Sequence, residues 1–106
     1  MKESELKLQV EQYLEYQMNM GNLLYLRLNS GNFIEVRGET RRRIKGCPKG
    51  TADLVVIKDG HAIFLELKSE KGRWSPEQRA FKILAESQGA EYHLIREIEE
   101  LENILG

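Results

Sequence analysis

The chain lacks the features that stabilise secreted and membrane proteins. Its 106 residues include a single cysteine, Cys47, so an internal disulfide cannot form. No stretch approaches the roughly 20 consecutive apolar residues that cross a bilayer, and the opening MKESELKLQV lacks the apolar core of a signal peptide. These absences predict an intracellular, cytoplasmic protein in a reducing setting, without a membrane partner.

The composition is that of one globular domain. Apolar residues make up 41% of the chain and charged residues 31%, and 106 residues is an ordinary length for one domain. The sequence has no internal repeats or low-complexity segments. We therefore interpret residues 1–106 as a single domain with one site to carry its function.

The net charge is only −1, but the cations are unevenly distributed. Residues 37–50 contain a cluster of basic side chains against one acid, Glu39. Such a segment can hold a phosphate backbone at one place, although an ordinary solvated loop has the same composition. Its cations are Arg37, Arg41, Arg42, Arg43, Lys45 and Lys49.

The first half of the chain reads as a helix followed by strands. Apolar residues recur at helical spacing within residues 4–18, and Ser4 is the candidate N-cap. Residues 23–28 and 32–37 are strand-like, and the turn sequence NSGN between them predicts a hairpin. The cationic segment 38–52 contains glycine and proline, which predicts a mobile loop.

A second hairpin is predicted around Asp59 and Gly60. Apolar strands flank this dipeptide, and both residues tolerate the positive φ that a tight turn requires. Further on, Ser75, Pro76 and Gln78 match the N-cap, the first helical position and the capping box of a helix.

The second helix should end at Gly89 and bury Phe81, Leu84 and Ala85. AEYHLI then predicts a strand, and EIEELENIL predicts a closing helix with its apolar residues on one face. This order of elements indicates an α/β or α+β domain in which helices pack on a central mixed sheet.

The segment AIFLELKSEKG ends a buried strand with an acid and a base two residues apart. Side chains alternate across a strand, so Glu66 and Lys68 share one face with Phe64. Folding about the predicted two-residue turn brings Asp53 opposite Glu66. Two carboxylates and a lysine are therefore expected to meet at one edge of the sheet.

Two carboxylates in contact disfavour each other's ionisation unless a cation lies between them. Mg²⁺ takes one or two protein carboxylates and completes its shell with water and phosphate oxygens. Each residue alone has an ordinary explanation, because Glu-x-Lys pairs occur on exposed strands and Asp53 could be a turn residue. The combination is more specific, and it favours a metal-dependent site that hydrolyses phosphodiesters.

At these residues the chain resembles the PD-(D/E)XK nuclease superfamily, in particular its VRR-NUC family. The matching segments are GTADLVVIKDG and IFLELKSEKGRWSPEQRAF, and the likeness extends from ESELKLQVEQYL to the last strand. Asp53 stands at the first acid of the motif, Glu66 at the second acid and Lys68 at the lysine. One departure is visible: Thr51-Ala52-Asp53 replaces the usual Pro-Asp, and that proline is not a ligand.

The resemblance implies a restriction-endonuclease-like core, with a central mixed β-sheet flanked by helices. It implies that Mg²⁺ or Mn²⁺ binds to Asp53, Glu66 and the main-chain carbonyl of Leu67, and that Lys68 orients or activates the attacking water. Gln78 matches a glutamine that many relatives place beside the site, although the capping box explains this residue equally well.

Relatives also contribute a glutamate from the first helix. Glu3 is the preferred candidate, because Glu11 points about 100° away from the apolar face of that helix. Trp74 either lies against DNA or covers the start of the second helix. Beside a phosphodiesterase site, the basic segment is expected to grip DNA phosphates. The DNA-binding residues implied are Arg41, Arg42, Arg43, Lys45 and Lys49.

The expected function is therefore that of a metal-dependent DNA endonuclease. The chain has no evident accessory recognition domain, so selectivity for branched DNA is favoured over a long sequence code. Stand-alone domains of this kind resemble dimeric junction-resolving nucleases, which implies a homodimer that cuts four-way (Holliday) junctions in repair or recombination. A phage-encoded protein would act at the nucleoid or in the host cytoplasm. Two alternatives stay open: a catalytically idle DNA-binding module and a sequence-specific restriction-type nuclease.

Overall fold

The computed structural model describes residues 2–28 and 32–106, which form three helices and six strands. In chain order they are α1 (Glu3–Asn19), β1 (Leu24–Arg27), β2 (Asn32–Arg37), β3 (Thr40–Lys45), β4 (Leu54–Lys58), β5 (His61–Leu67), α2 (Pro76–Ser87), β6 (Glu91–Ile95) and α3 (Ile98–Leu105).

The main sheet has four strands in the order β1-β4-β5-β6. The β1–β4 and β4–β5 pairs are antiparallel, whereas β6 is parallel to β5, so the sheet is mixed. α1 and α3 cover one face, where Leu6 and Leu101 join a core built on Leu65. On the other face, Phe81 of α2 contacts Phe64 at a ring-centroid distance of 5.1 Å. The predicted mixed sheet flanked by helices is confirmed.

The turn between β4 and β5 forms at Asp59 and Gly60, as predicted. Both residues have positive φ, 52° and 76° respectively, which is the conformation of a type I′ hairpin turn. Lys58 and His61 pair directly on either side of the turn. The turn therefore sets the register of the two central strands.

The start of α2 is also confirmed. The backbone N–H of Gln78 donates to Ser75 Oγ at 3.1 Å, and the N–H of Ser75 donates to Gln78 Oε1 at 2.9 Å. Pro76 occupies the first helical position. Gly89, with a φ of 86°, lies just beyond the last turn of the helix.

The predicted burial of Leu84 is wrong, because its side chain is 61% exposed. Phe81 and Ala85 lie one turn apart and set the face that α2 turns toward the sheet. Leu84 is rotated by about 100° from Ala85 around the helix axis. The apolar stripe that contacts the sheet is therefore narrower than the sequence suggests.

Each terminal helix buries apolar residues on one face, as predicted. In α1 these are Leu6, Val10 and Leu14, and in α3 they are Leu101 and Leu105. α1 begins at Glu3, and its N-cap is Lys2, whose side chain makes no capping hydrogen bond. The prediction of Ser4 as N-cap is therefore wrong. Within the described residues, none of the helices has the length and apolar character needed to span a bilayer.

The predicted hairpin between residues 23–28 and 32–37 is wrong. β1 pairs with β4, and Leu24 lies opposite Ile57. Its proposed turn residues, 29–31, lie outside the described residues. Pairing with β4 places Tyr25 against the main core, and this burial of apolar surface favours the pairing.

The predicted mobile loop over residues 38–52 is wrong in its first half, which contains β3. Gly38, with a φ of 60°, opens a two-residue turn, and Arg37 pairs with Thr40 across it. β2 and β3 thus form a two-stranded ribbon (Asn32–Lys45). Among the residues that the structure describes, this ribbon packs against no other helix or strand.

Replacing Leu65 by Ala should lower the free energy of unfolding by about 2–5 kcal/mol, since this side chain is fully buried in the core. Leu84→Ala is the matched control, because the same atoms are removed from an exposed position; it should change stability by less than about 0.5 kcal/mol. Urea unfolding followed by circular dichroism measures both values. Equal losses in the two variants would contradict the burial of these residues.

Candidate active site

Two acids and a lysine meet where β4 begins and β5 ends. Leu54 lies opposite Leu65 in the β4–β5 register, so the preceding residue, Asp53, comes opposite Glu66. Lys68 follows the last residue of β5 and is bonded through its N–H to the carbonyl of Ile95, at 3.0 Å. The sheet therefore brings together the three residues at which the nuclease motif was matched.

Asp53 is held by the main chain of both neighbouring strands. Its carboxylate Oδ2 accepts the N–H of Leu67 at 2.8 Å, and its backbone carbonyl accepts the N–H of Leu28 at 2.9 Å. One carboxylate oxygen is thus anchored to β5. The side chain keeps a fixed orientation beside Glu66.

Among the residues that the structure describes, Glu66 alone is a buried charged residue, with 4% of its surface exposed. The Nζ of Lys68 lies 3.9 Å from Glu66 Oε2. Burial, followed by the negative charge of Asp53, raises the pKa of Glu66 to about 8, although Lys68 opposes the shift. The site therefore carries more negative charge than its lysine neutralises when both acids are ionised.

The hydroxyl of Tyr92 also belongs to this site, and the sequence analysis gave the residue no role there. Tyr92 lies on β6 opposite Phe64, and its buried hydroxyl has no hydrogen-bond partner among the described residues. Burial, together with the charges of Glu66 and Asp53, raises the pKa of this phenol. A neutral donor thus lies near the two acids. The parallel β5–β6 pairing that places it there has no signal in the local sequence.

The segment that leads to Asp53 is fixed against the start of α2. Gly50 has a φ of 92°, and a Cβ at this position would lie 2.3 Å from the carbonyl oxygen of Glu77. Lys49 Nζ also lies 3.4 Å from a carboxylate oxygen of Glu77. Only glycine allows this close contact with Glu77. The path of the backbone that leads to Asp53 therefore depends on Gly50.

The loop after Lys68 is held by Arg96. Its guanidinium donates to the backbone carbonyls of Ser69 at 2.5 Å, Glu70 at 3.1 Å and Gly72 at 2.8 Å. A Cβ on Gly72 would lie only 3.0 Å from Lys68 Cδ. Arg96 therefore fixes the loop that packs on the stem of the lysine. A cation directly after β6, at the edge where the parallel strand β5 also ends, is the sequence signal for this role.

The two candidate glutamates of α1 lie in different surroundings. The negative charge of Glu3 contributes, as the smallest cause, to the raised pKa of Glu66, so Glu3 lies at the same end of the sheet. Glu11 instead forms an ion pair with Arg27 of β1. Gln78 occupies the capping box of α2. The structure thus leaves Glu3 as the α1 carboxylate nearer the site.

The cations of the basic segment belong to two different parts of the structure. Arg41 is exposed on β3, and the same strand carries Arg42, Arg43 and Lys45. Lys49 lies beyond the ribbon and is paired with Glu77. The cations that were assigned to one loop are therefore divided between the ribbon and the segment leading to Asp53.

The residues present fit a hard divalent cation. Among the described residues, no three His, Cys, Asp or Glu side chains form a group that could hold a metal, but the predicted set has only two carboxylates. Asp53, Glu66 and the Leu67 carbonyl offer oxygen donors, which Mg²⁺ and Mn²⁺ prefer. Burial, followed by the negative charge of Asp53, raises the pKa of Glu66, and a bound cation would favour the ionised form of both acids.

No protein-family model matches the chain, and no curated protein shows detectable sequence similarity to it.

Replacing Glu66 by Gln should stabilise the protein in EDTA at pH 9. The folded-state pKa of about 8 lies above the ordinary value, so the wild type loses stability as pH rises toward 8 and keeps this loss above it. The amide removes the penalty, and the gain should be on the order of 5 kcal/mol, since each pKa unit above the ordinary value of 4.5 corresponds to about 1.4 kcal/mol.

Thermal or urea unfolding at pH 4 and pH 9 checks this difference, which should nearly vanish at pH 4. Glu15→Gln, at an exposed position of α1, is the control and should show no such pH dependence. A Glu66→Gln protein that is less stable than wild type at pH 9 would show that the ionised carboxylate is compensated in the fold.

Replacing Gly50 by Ala should lower the free energy of unfolding by about 2–4 kcal/mol, through positive φ and backbone contact together. Gly21→Ala is the matched control, because Gly21 has a φ of 80° and open space around its Cα; it should cost only about 1 kcal/mol. Urea unfolding measures both variants. Equal costs would mean that the close approach to Glu77 is not maintained in solution.

Proposed function

We propose that the protein is a Mg²⁺- or Mn²⁺-dependent DNA endonuclease with a PD-(D/E)XK core of the VRR-NUC type. The observation that carries the proposal is the meeting of Asp53, Glu66 and Lys68 on one face of the β4–β5 pair, with Glu66 buried. A solvated charge pair on a strand has no need of burial, and burial of Glu66 beside a second acid costs stability. A catalytic site gives a reason for that cost.

Asp53, Glu66 and the carbonyl of Leu67 would hold the cation, which supplies charge neutralisation and Lewis acidity at the scissile phosphate. The hydrogen bond from the Leu67 N–H fixes Asp53. Lys68 carries a positive charge on the same face, where it can orient the attacking water and stabilise the charge that develops on the phosphate. Tyr92 presents a neutral hydroxyl beside both acids.

The ribbon is the proposed contact to the DNA backbone. Its strand β3 carries Arg41, Arg42, Arg43 and Lys45 within six residues. A two-stranded β-ribbon fits the major groove of duplex DNA, and cations there neutralise phosphates. Lys49, beside Glu77, would contribute a further phosphate contact closer to the acids.

Branched DNA, such as a four-way junction, is the proposed substrate, and a homodimer is the proposed acting form. Two related sites on a two-fold axis can cut a pair of strands symmetrically. The edge strand β1 exposes Leu24 and Leu26, 47% and 51% respectively, which offers an apolar surface for a second copy. A role in DNA repair or recombination follows from this substrate.

The test is cleavage of a labelled four-way junction and a linear duplex with Mg²⁺, Mn²⁺ or EDTA. The wild type should make paired cuts in the junction only with metal. Glu66→Gln and Lys68→Met should each reduce the rate by at least about 100-fold, the usual effect of losing one charge-stabilising group, while junction binding in EDTA persists. The matched controls Glu70→Gln and Lys71→Met, at neighbouring exposed positions, should cleave at the wild-type rate.

Binding without metal-dependent cleavage would replace the proposal by a catalytically idle DNA-binding module. Discrete cuts in plasmid DNA that do not depend on branching would favour a restriction-type nuclease. Full turnover by Glu66→Gln would overturn the roles assigned to the acids.

A further inference from the structure

A pocket of about 370 Å³ lies beside α2. It is lined by Trp74, Arg79, Lys82 and Ile83. Arg79, Lys82 and Ile83 are three and four residues apart, so they share one face of the helix. An indole, an isoleucine and two cations thus border the same space. Its volume is near the lower end of the range for ligand pockets.

The charge of the pocket is positive. Lys82 Nζ lies 3.2 Å from a carboxylate oxygen of Glu86, so this lysine is largely neutralised. Arg79 is exposed and gives the pocket its net charge. The lining therefore combines an apolar, aromatic wall with a cation at its border, which is the complement of a nucleobase with its attached phosphate.

The pocket is connected to the acids by a stack of two rings. The indole of Trp74 lies 5.4 Å, between ring centroids, from the ring of Tyr92, with an angle of 34° between the planes. The hydroxyl of Tyr92 lies near Glu66 and Asp53, as described above. A group bound at the indole would therefore lie next to a side chain whose pKa both acids raise.

We propose that this pocket binds one unpaired nucleotide of the substrate strand, whose base stacks on Trp74 and whose phosphate pairs with Arg79. The proposal rests on the nuclease function only for its consequence, which is that the enzyme cuts close to an unpaired nucleotide. A fully paired base has both faces covered by its neighbours in the stack, so only an unstacked base can use the indole. The pocket would thus select DNA with single-stranded character beside the cut.

Trp74 is the only tryptophan of the chain, so fluorescence excited selectively at the indole, beyond the absorption of the four tyrosines, reports on this pocket. The probes are an oligothymidylate of twelve nucleotides and an abasic oligonucleotide of the same length, both in EDTA, where no metal-dependent cleavage occurs. The oligothymidylate should quench Trp74 in a saturable way, and the abasic strand, which has the same charge, should not. Equal quenching by both strands would overturn the stacking.

Variants test the same point by binding of a fluorescein-labelled oligothymidylate. Trp74→Leu should weaken binding by about tenfold, the usual effect of losing one stacked base, and Trp74→Phe should restore most of it. Arg79→Gln should weaken binding more than Arg73→Gln, which removes the same charge from an exposed residue outside the pocket lining. Equal effects of the two arginine variants, or no effect of Trp74→Leu, would overturn the proposal.

The two proposals fail separately. Metal-dependent cleavage of the junction without any fluorescence response would leave the nuclease in place and remove the nucleotide pocket. Base-dependent quenching in a protein that never cleaves with Mg²⁺ or Mn²⁺ would keep the pocket as a binding site and remove the nuclease.

Discussion

The register between β4 and β5 is the constraint on which the rest of the structure depends. Asp59 and Gly60 adopt positive φ, and the two-residue turn leaves only one way to pair the strands that it joins. A shift by one residue would move Glu66 to the face covered by α1 and α3 and would bring an apolar side chain opposite Asp53. Core packing and the grouping of the acids thus depend on the same two-residue turn.

Burial of Glu66 is a cost that the remainder of the fold has to offset. The side chains of the α1–α3 face form a continuous apolar cluster, whereas the α2 face mixes rings with ionisable groups. This division separates the face of the sheet that supplies most of the apolar core from the face that holds the buried acid. Arg96 and Gly50 each fix a loop beside the acids. Arg96 does so by hydrogen bonds to backbone carbonyls, and Gly50 by its close approach to the backbone of Glu77.

Local chemistry made some features predictable from the sequence. The Asp59–Gly60 turn and the capping box of α2 depend on residues close together in the chain, so their signals are complete in the sequence. The pairing of Asp53 with Glu66 follows from that turn by counting. The partner of β1 was not predictable in this way, because the burial gained against β4 depends on contacts between residues far apart in the sequence.

The difference between residues close together and far apart in the sequence also explains which site residues were predictable. Asp53, Glu66 and Lys68 belong to one hairpin and could be grouped in advance. Tyr92 and Arg96 reach the site through β6, whose parallel pairing with β5 requires the crossover by α2. The ribbon was not predicted for another reason. Its polar composition resembles that of a loop, and only Gly38 at the first turn position indicates a hairpin.

The molecule is more extended than a compact chain of its length. The radius of gyration is 15.1 Å and the longest extent is 49 Å, whereas a compact chain of this length has a radius of gyration of about 13 Å. Within the described residues the ribbon packs against no other helix or strand, so a change in its length leaves the pairing of the main sheet intact. Evolution, or a protein engineer, can therefore exchange the ribbon while the main sheet and its helices stay the same.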